Sequence, residues 1–313
     1  MTCAFTFPGQ GSQAVGMGKD LAEAFPSARE VFEEVDDALS QSLSKLMWEG
    51  PEDELTLTEN AQPALMACSM ASLRVLESEG GFRLADKVAF VAGHSLGEYS
   101  ALAAADSLTL ADAARLLKLR GQAMQRAVPV GEGAMAALLG LELEDARAVS
   151  EAAAEGHVCQ PANDNAPGQV VISGHKEAVE RAIERAKEKG AKRAMLLSVS
   201  APFHCALMRP AAEEMQEALA AVGLAQPSVP LVANVTASQV SDPETIRELL
   251  VEQVTGMVRW RESVAYMADQ GVSAFFEVGT GKVLTGLAKR IARDASGIAV
   301  GTPADIETAL KAL

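Results

Sequence analysis

The segment 93–97, Gly-His-Ser-Leu-Gly, contains the residue of this chain best placed for chemistry, Ser95. It follows the apolar run 88–92 and precedes the small-residue helical pattern 99–105. A strand, a sharp turn and a helix in this order form a nucleophile elbow, and glycines flank the serine because larger side chains would clash with the strand or the helix. The motif therefore predicts that Ser95 exposes its hydroxyl as a nucleophile. Lipases, esterases, thioesterases and acyltransferases all remain open on this pattern.

A serine hydroxyl needs a neighbouring base to remove its proton, and histidine is the usual base near neutral pH. The chain has four histidines. The ring of His94 should point away from Ser95 because the two residues are adjacent at the end of a strand. His157 and His175 fall at turns in the middle of the chain. His204 ends the segment Ser-Ala-Pro-Phe-His, whose proline fixes a short loop after a strand, and we predict that it is the base.

Composition limits the classes of protein that this chain can represent. Its 313 residues are 49% hydrophobic and only 4% aromatic, which is typical of a soluble α/β core packed by Ala, Leu and Val. The amino-terminal segment has no basic region and no long apolar stretch, so we expect no signal peptide, no membrane span and a cytoplasmic location. A net charge of −15 disfavours nucleic acids and anionic membranes as partners. The four cysteines lack metal-ligand spacing, so we expect reduced thiols and no metal site.

The order of predicted elements changes after residue 133. A strand at 4–7, a glycine-rich loop at 8–13, helices that include 62–79, and the elbow come first. The elements that follow are strand 134–139, helix 143–154, strands 158–161 and 169–173, helix 176–189 and strand 194–198, which is a ferredoxin-like order. Strands near 229–234 and 274–278 then return to the first pattern. We therefore predict an α/β-hydrolase-like large domain with a parallel sheet, residues 1–128 and 199–313, and an inserted ferredoxin-like subdomain, residues 129–198.

Four segments in fixed order resemble those of the malonyl-CoA:acyl carrier protein transacylase family of fatty-acid and polyketide synthesis. They are Gly-Gln-Gly-Ser-Gln at 9–13, the elbow at 93–98, Leu-Arg-Gly-Gln-Ala-Met at 119–124, and the histidine segment at 200–204. The segments 163–169 and 276–284 extend the likeness over nearly the whole chain.

This resemblance implies roles for the residues around the nucleophile. Ser95 would carry the malonyl ester, and His204 would act first as its base and then as the acid for the departing thiolate of coenzyme A. The backbone carbonyl that orients the histidine in this family corresponds to Gln253. The oxyanion hole would consist of the backbone N–H groups of Leu96 and Gln10.

The resemblance also implies which residues bind the substrate. The guanidinium of Arg120 can hold the malonyl carboxylate by two parallel charge-assisted hydrogen bonds, which a lysine cannot match in geometry. Phe203 corresponds to the residue that restricts the pocket to unbranched malonyl, and Met124 lines the same wall or packs in the core. We also expect the inserted unit to close one side of the cleft and its loop from Asn163 to Gln169 to reach that cleft.

The expected function is transfer of malonyl from malonyl-CoA to the phosphopantetheine thiol of an acyl carrier protein, by a ping-pong reaction in fatty-acid biosynthesis. We expect a monomer without a cofactor, with these two substrates as its partners. The inserted subdomain offers a candidate surface for the carrier or for the coenzyme A phosphates, formed by Arg181, Arg185, Lys189, Lys192 and Arg193.

Three alternatives remain. A serine thioesterase or esterase would pass the acyl group to water, but Arg120 and the lack of an acidic motif for a conventional triad disfavour it. A polyketide-pathway acyltransferase would share every motif. A carrier-docking module with a silent site would need neither Ser95 nor His204.

Overall fold

The strands form two separate sheets in residues 2–313, the part of the chain that a computed structural model describes. The ten strands of this range are β1 Cys3–Phe7, β2 Val88–Gly93, β3 Gly133–Leu139, β4 Cys159–Ala166, β5 Gln169–His175, β6 Arg193–Leu196, β7 Leu231–Val232, β8 Gln239–Val240, β9 Ala274–Val278 and β10 Ser296–Val300. The larger sheet has the order β10-β9-β1-β2-β7-β8, and the smaller one has the order β4-β5-β3-β6.

Helices cover both sheets. Those of the described range are α1 Lys19–Ala24, α2 Pro26–Leu39, α3 Leu43–Glu49, α4 Glu52–Thr56, α5 Thr58–Gly80, α6 Leu84–Lys87, α7 Gly97–Ala104, α8 Leu110–Ala127, α9 Leu143–Ala154, α10 Lys176–Glu188, α11 Arg209–Ala221, α12 Pro243–Thr255, α13 Trp260–Asp269, α14 Val283–Ile291 and α15 Pro303–Ala312, with a 3₁₀ turn at Ala206–Met208. None of these helices is long and apolar enough to cross a membrane.

The larger sheet is parallel except at one edge, where β8 pairs antiparallel with β7. Its strands are buried on two faces: Phe5 and Phe7 of β1 join one apolar cluster, while Ala4 joins a second cluster with Phe90 and Phe275. This confirms the predicted parallel α/β sheet. Its central strands β1 and β2 end where the elbow begins, so the sheet fixes the position of the nucleophile.

The two edge strands of the larger sheet, β8 and β10, were not predicted, and the inner strand β7 is shorter than predicted. The pattern expected over 229–234 forms a ladder only at Leu231–Val232. β8 has two residues, and β10 has a half-exposed Ser-Gly-Ile-Ala-Val sequence rather than a buried apolar run. Edge strands of this kind lack the apolar pattern by which a buried strand is predicted.

The smaller sheet is antiparallel throughout, and its strands alternate with α9 and α10 in the predicted ferredoxin-like order. Its main difference from prediction is β4, which continues to Ala166 through the polar stretch that begins at Asn163. Val258 supports this extension, because it accepts from the N–H of Asp164 at 2.9 Å and donates to the carbonyl of Ala162 at 2.9 Å. β4 thereby reaches the cleft between the two sheets. The domain limits at residues 128 and 199 stay a prediction.

Candidate active site

Ser95 lies on the turn between β2 and α7 with a φ of 55°, a left-handed conformation that costs free energy for a residue with a Cβ. The flanking glycines make this turn possible. A Cβ on Gly93 would overlap the backbone of Gly97, and one on Gly97 would overlap the carbonyl oxygen of Phe7. The elbow therefore requires glycine at both positions on steric grounds.

His204 lies beside the nucleophile, although 109 residues separate the two in sequence. Its Nε2 is 2.7 Å from the hydroxyl oxygen of Ser95, and its Nδ1 is 2.9 Å from the backbone carbonyl oxygen of Gln253. A carbonyl only accepts hydrogen bonds, so Nδ1 carries the proton and Nε2 is left as the acceptor for the serine hydroxyl. This is the arrangement that a general base for Ser95 needs.

Arg120 reaches the same place from α8, which begins where the Thr109 hydroxyl accepts from the N–H of Asp112. Its side chain is fully buried, and its Nη2 is 3.2 Å from the hydroxyl oxygen of Ser95. Nη1 donates to Oε1 of Gln62 at 2.8 Å, and Nη2 also donates to Oε1 of Gln253 at 2.8 Å. No carboxylate of residues 2–313 forms an ion pair with this guanidinium, and its Nε–H has no acceptor there. A buried cation thus faces the nucleophile without an anionic partner.

The backbone of the elbow shows which N–H groups are available to an oxyanion. The N–H of Ser95 donates to Oδ1 of Asn234 at 2.8 Å and is therefore occupied. Within residues 2–313 the N–H groups of Leu96 and Gln10 have no acceptor. The loop that carries Gln10 lies against the elbow, because a Cβ on Gly9 would be 2.8 Å from the carbonyl oxygen of His94. The proposed oxyanion donors therefore lie near each other, and their role stays a prediction.

A cavity of about 320 Å³ connects these groups. Eight of the nine predicted site residues line it: Gln10, Ser95, Leu96, Arg120, Met124, Asn163, Phe203 and His204. The ninth, Gln253, is fully buried behind the wall and contacts Ser95, Arg120 and His204. Met124 is also almost completely buried. It therefore both lines the pocket wall and packs in the core, the two positions predicted for it.

Several polar residues of the site were not predicted. Gln62 holds Arg120, and its own Nε2 donates to the Met124 sulfur at 3.8 Å. Asn234 follows β7 and fixes the elbow through Ser95 and through the carbonyl of Gly93, to which its amide donates at 2.7 Å. A polar side chain two residues after a parallel strand was the available signal for Asn234. An amide inside the apolar helix α5 was the signal for Gln62.

His94 takes no part in activating the serine. Its Nε2 is 2.8 Å from Oδ1 of Asn165 on β4, and burial lowers its pKa. This hydrogen bond joins the elbow to the smaller sheet.

The basic surface of the inserted unit is partly neutralised. Arg181 and Arg185 pair with Glu155, and Lys189 pairs with Asp145. Lys192 and Arg193 form no ion pair within residues 2–313. A docking role for this surface stays a prediction.

The described residues contain neither a cluster of metal ligands nor a disulfide. No group of three or more His, Cys, Asp or Glu side chains in residues 2–313 is arranged to hold a metal ion. All four cysteines are free and buried.

The pKa of His204 is lowered to about 3, first by burial and next by the positive charge of Arg120. His94 acts weakly in the same direction. Glu98 of α7 is the nearby carboxyl, and burial raises its pKa to about 7.

A base whose pKa is lowered stays unprotonated as the pH falls, so acylation of Ser95 should change less than about threefold between about pH 8 and pH 5. A histidine with an ordinary pKa of about 6.5 would lose roughly thirtyfold. Single-turnover quench-flow with malonyl-CoA measures this profile. Repeating it on Glu98→Gln removes the carboxyl that titrates in this range, and a loss centred near pH 6.5 in both enzymes would contradict the prediction.

Comparisons with known proteins agree with this geometry. The family model described as acyl transferase domain matches residues 4–304. The malonyl CoA-acyl carrier protein transacylase of Escherichia coli strain K12 is 49% identical over 308 residues, which cover 98% of this chain and 98% of the relative. The crystal structure of the acyl-carrier-protein-S-malonyltransferase from Bartonella henselae is 60% identical, with a TM-score of 0.97, and the match covers 100% of this chain and 99% of that one. A malonyl-transacylase solved in complex with a type II PKS acyl-carrier protein is 46% identical, with a TM-score of 0.97 and 100% of both chains covered. This chain therefore belongs to the acyl transferase domain family.

Proposed function

We propose that this acyltransferase moves malonyl from malonyl-CoA to the phosphopantetheine thiol of an acyl carrier protein, through a malonyl ester on Ser95. The observation that carries the proposal is the buried, unpaired guanidinium of Arg120 beside the nucleophile. In a malonyl thioester the carboxylate lies only two carbon–carbon bonds from the carbonyl carbon that the serine attacks. A cation that recognises this carboxylate must therefore lie next to the nucleophile, as Arg120 does.

The first half-reaction follows from the hydrogen bonds of the site. Nε2 of His204 takes the proton of the Ser95 hydroxyl while Oγ attacks the thioester carbonyl carbon. The carbonyl oxygen becomes negative and accepts hydrogen bonds from the backbone N–H groups of Leu96 and Gln10. The carbon–sulfur bond then breaks. The imidazolium gives its proton to the departing thiolate, so that coenzyme A leaves as a thiol and the serine keeps the malonyl group.

The second half-reaction reverses these roles. The carrier thiol gives its proton to His204, and its sulfur attacks the carbonyl carbon of the ester. The ester carbon–oxygen bond breaks, and Ser95 regains the proton from the imidazolium. The carbonyl of Gln253 accepts from Nδ1 throughout, which holds the ring and stabilises its charged form.

The pocket selects the acyl group by charge and shape. Arginine has five N–H donors, of which three are used here, one each toward Gln62, Gln253 and Ser95. The malonyl carboxylate would take the N–H groups that face the cavity, including the one now directed at Ser95. Acetyl lacks this carboxylate and leaves the cation unpaired, which disfavours it. Phe203, Met124 and Asn163 line the same cavity and would limit its width.

The names of the relatives support both substrates, and the solved carrier complex of the 46%-identical neighbour supports a carrier protein as the acceptor. We place the enzyme in fatty-acid biosynthesis, as a cytoplasmic monomer that needs no cofactor or metal. That complex also keeps a polyketide carrier as a second candidate acceptor.

Intact mass spectrometry of the purified protein tests the proposal. After mixing with malonyl-CoA the mass should rise by one malonyl group, and peptide fragmentation should place it on Ser95. Adding a holo acyl carrier protein should move the group to the carrier, with fatty-acid and polyketide carriers compared at equal concentration. An ester that is lost to water while both carriers stay unmodified would support the hydrolase instead. Absence of any ester would overturn the proposal.

A further inference from the structure

Glu98 is a buried carboxyl that the reaction described above does not use. It lies in the first turn of α7, three residues after the nucleophile, with 1% of its surface exposed. No cationic side chain of residues 2–313 forms an ion pair with it. Burying a carboxyl without an ion-pair partner costs free energy, so the hydrogen bonds that Glu98 accepts must offset this cost.

The strongest of these hydrogen bonds comes from the side chain of Gln253. Nε2 of Gln253 donates to Oε2 of Glu98 at 2.7 Å and to the backbone carbonyl of Ser95 at 2.9 Å. The other end of the same amide, Oε1, accepts from Nη2 of Arg120 at 2.8 Å. The amide thus lies between a carboxyl and a guanidinium.

An amide in this position has two orientations with opposite consequences. In the orientation described, a donor faces Glu98 and an acceptor faces Arg120. Rotation by half a turn would place the NH₂ group against the guanidinium, where two donors meet and no hydrogen bond forms. Oε2 of Glu98 faces the amide as an acceptor and, together with the backbone carbonyl of Ser95, favours the first orientation.

We propose that Glu98 is a positioning residue that fixes the amide of Gln253 and thereby holds Arg120 in place to bind the acyl carboxylate. The inference rests on the proposed function, since it assigns Glu98 to the selectivity of that reaction. Oε2 of Glu98 also accepts from the backbone N–H of Asn234 at 3.4 Å, and the side chain of Asn234 holds the N–H of Ser95. The main effect should still fall on Arg120, because the bond from Gln253 is much shorter.

Two substitutions separate this role from a general contribution to stability. Glu98→Gln keeps an acceptor oxygen toward Gln253, and it should hold the malonyl-over-acetyl preference within about threefold of wild type. Glu98→Leu removes the acceptor at similar volume. It should raise KM for malonyl-CoA about tenfold or more and lower the preference by a similar factor, since a charge-assisted hydrogen bond is among the stronger ones. Acetyl transfer should change little.

Glu277 provides the matched control, because it is also a fully buried carboxyl but lies on β9 away from the cavity. Its oxygens accept from the N–H groups of Leu284 and Thr285 at 3.1 and 2.7 Å. Glu277→Leu should lower Tm without changing the ratio of malonyl to acetyl transfer.

The measurement is steady-state transfer from malonyl-CoA and acetyl-CoA to one holo carrier protein, with Tm recorded for every variant. Equal losses of malonyl and acetyl transfer in Glu98→Leu, or a Glu98→Gln enzyme as impaired as Glu98→Leu, would overturn the inference. If Glu98→Leu does not fold, Gln253→Met takes its place, because it removes the amide itself. A wild-type preference for malonyl in that variant would also overturn the inference. Wild-type enzyme that transfers no malonyl would instead overturn the proposed function, and this inference with it.

Discussion

Replacing His204 with alanine should slow the acylation of Ser95 by roughly a thousandfold, the middle of the range for a general base. In the structure Nε2 of this residue is the acceptor 2.7 Å from the serine hydroxyl. Arg120, the other side chain in contact with that hydroxyl, donates and cannot take a proton. Without the imidazole, the serine keeps its proton and attacks as a neutral hydroxyl. Quench-flow with malonyl-CoA, followed by mass spectrometry of the acylated fraction, measures the rate.

His157→Ala is the control for this experiment, because His157 is exposed and lies outside the substrate cavity. Its acylation rate should equal that of the wild type. Acylation at the wild-type rate in His204→Ala would assign the base elsewhere. A variant with wild-type Tm and circular dichroism excludes unfolding as the cause of a loss.

Local sequence patterns were sufficient to predict the elements that hold the nucleophile. The continuous apolar run before Ser95 predicts a buried strand, and β2 is that strand. The helical spacing of apolar residues predicts a helix at 143–154, and these are the bounds of α9. β4 illustrates the limit. Its polar half pairs with β5 on one side, and on the other side Val258, nearly one hundred residues later, supplies hydrogen bonds to its backbone. Long-range pairing of this kind has no local signature.

The residues of the site also differ in whether the sequence near them was sufficient to predict them. Ser95 and His204 were predicted from residue chemistry, and Arg120 needed the family resemblance because a single arginine on an amphipathic helix is more often solvated. The residues that hold these groups, Gln62 and Asn234, were missed. Each is an amide whose partner comes from a distant segment, 58 residues away for Gln62 and 139 for Asn234. A buried amide becomes informative only when its partners are known.

Replacing Arg120 with alanine should lower malonyl transfer by about a thousandfold while acetyl transfer falls by less than about threefold. Two charge-assisted hydrogen bonds at roughly 2 kcal/mol each amount to about 4 kcal/mol, which corresponds to about three powers of ten in rate. Acetyl forms neither bond, so it loses nothing by this route. Arg120→Lys should recover part of the malonyl rate, because it restores the charge without the planar pair of donors.

Arg115→Ala is the matched control for Arg120→Ala, since Arg115 lies on the same helix, is exposed and pairs with Asp112. It should leave both transfer rates unchanged. The measurement is kcat/KM for malonyl-CoA and acetyl-CoA with one holo carrier protein. Because removal of a buried guanidinium also leaves Gln62 without its partner, a fall in stability is expected, and it lowers both rates equally. The ratio of the two rates is therefore the decisive quantity. A ratio that stays at its wild-type value would mean that the malonyl carboxylate binds elsewhere in the cavity.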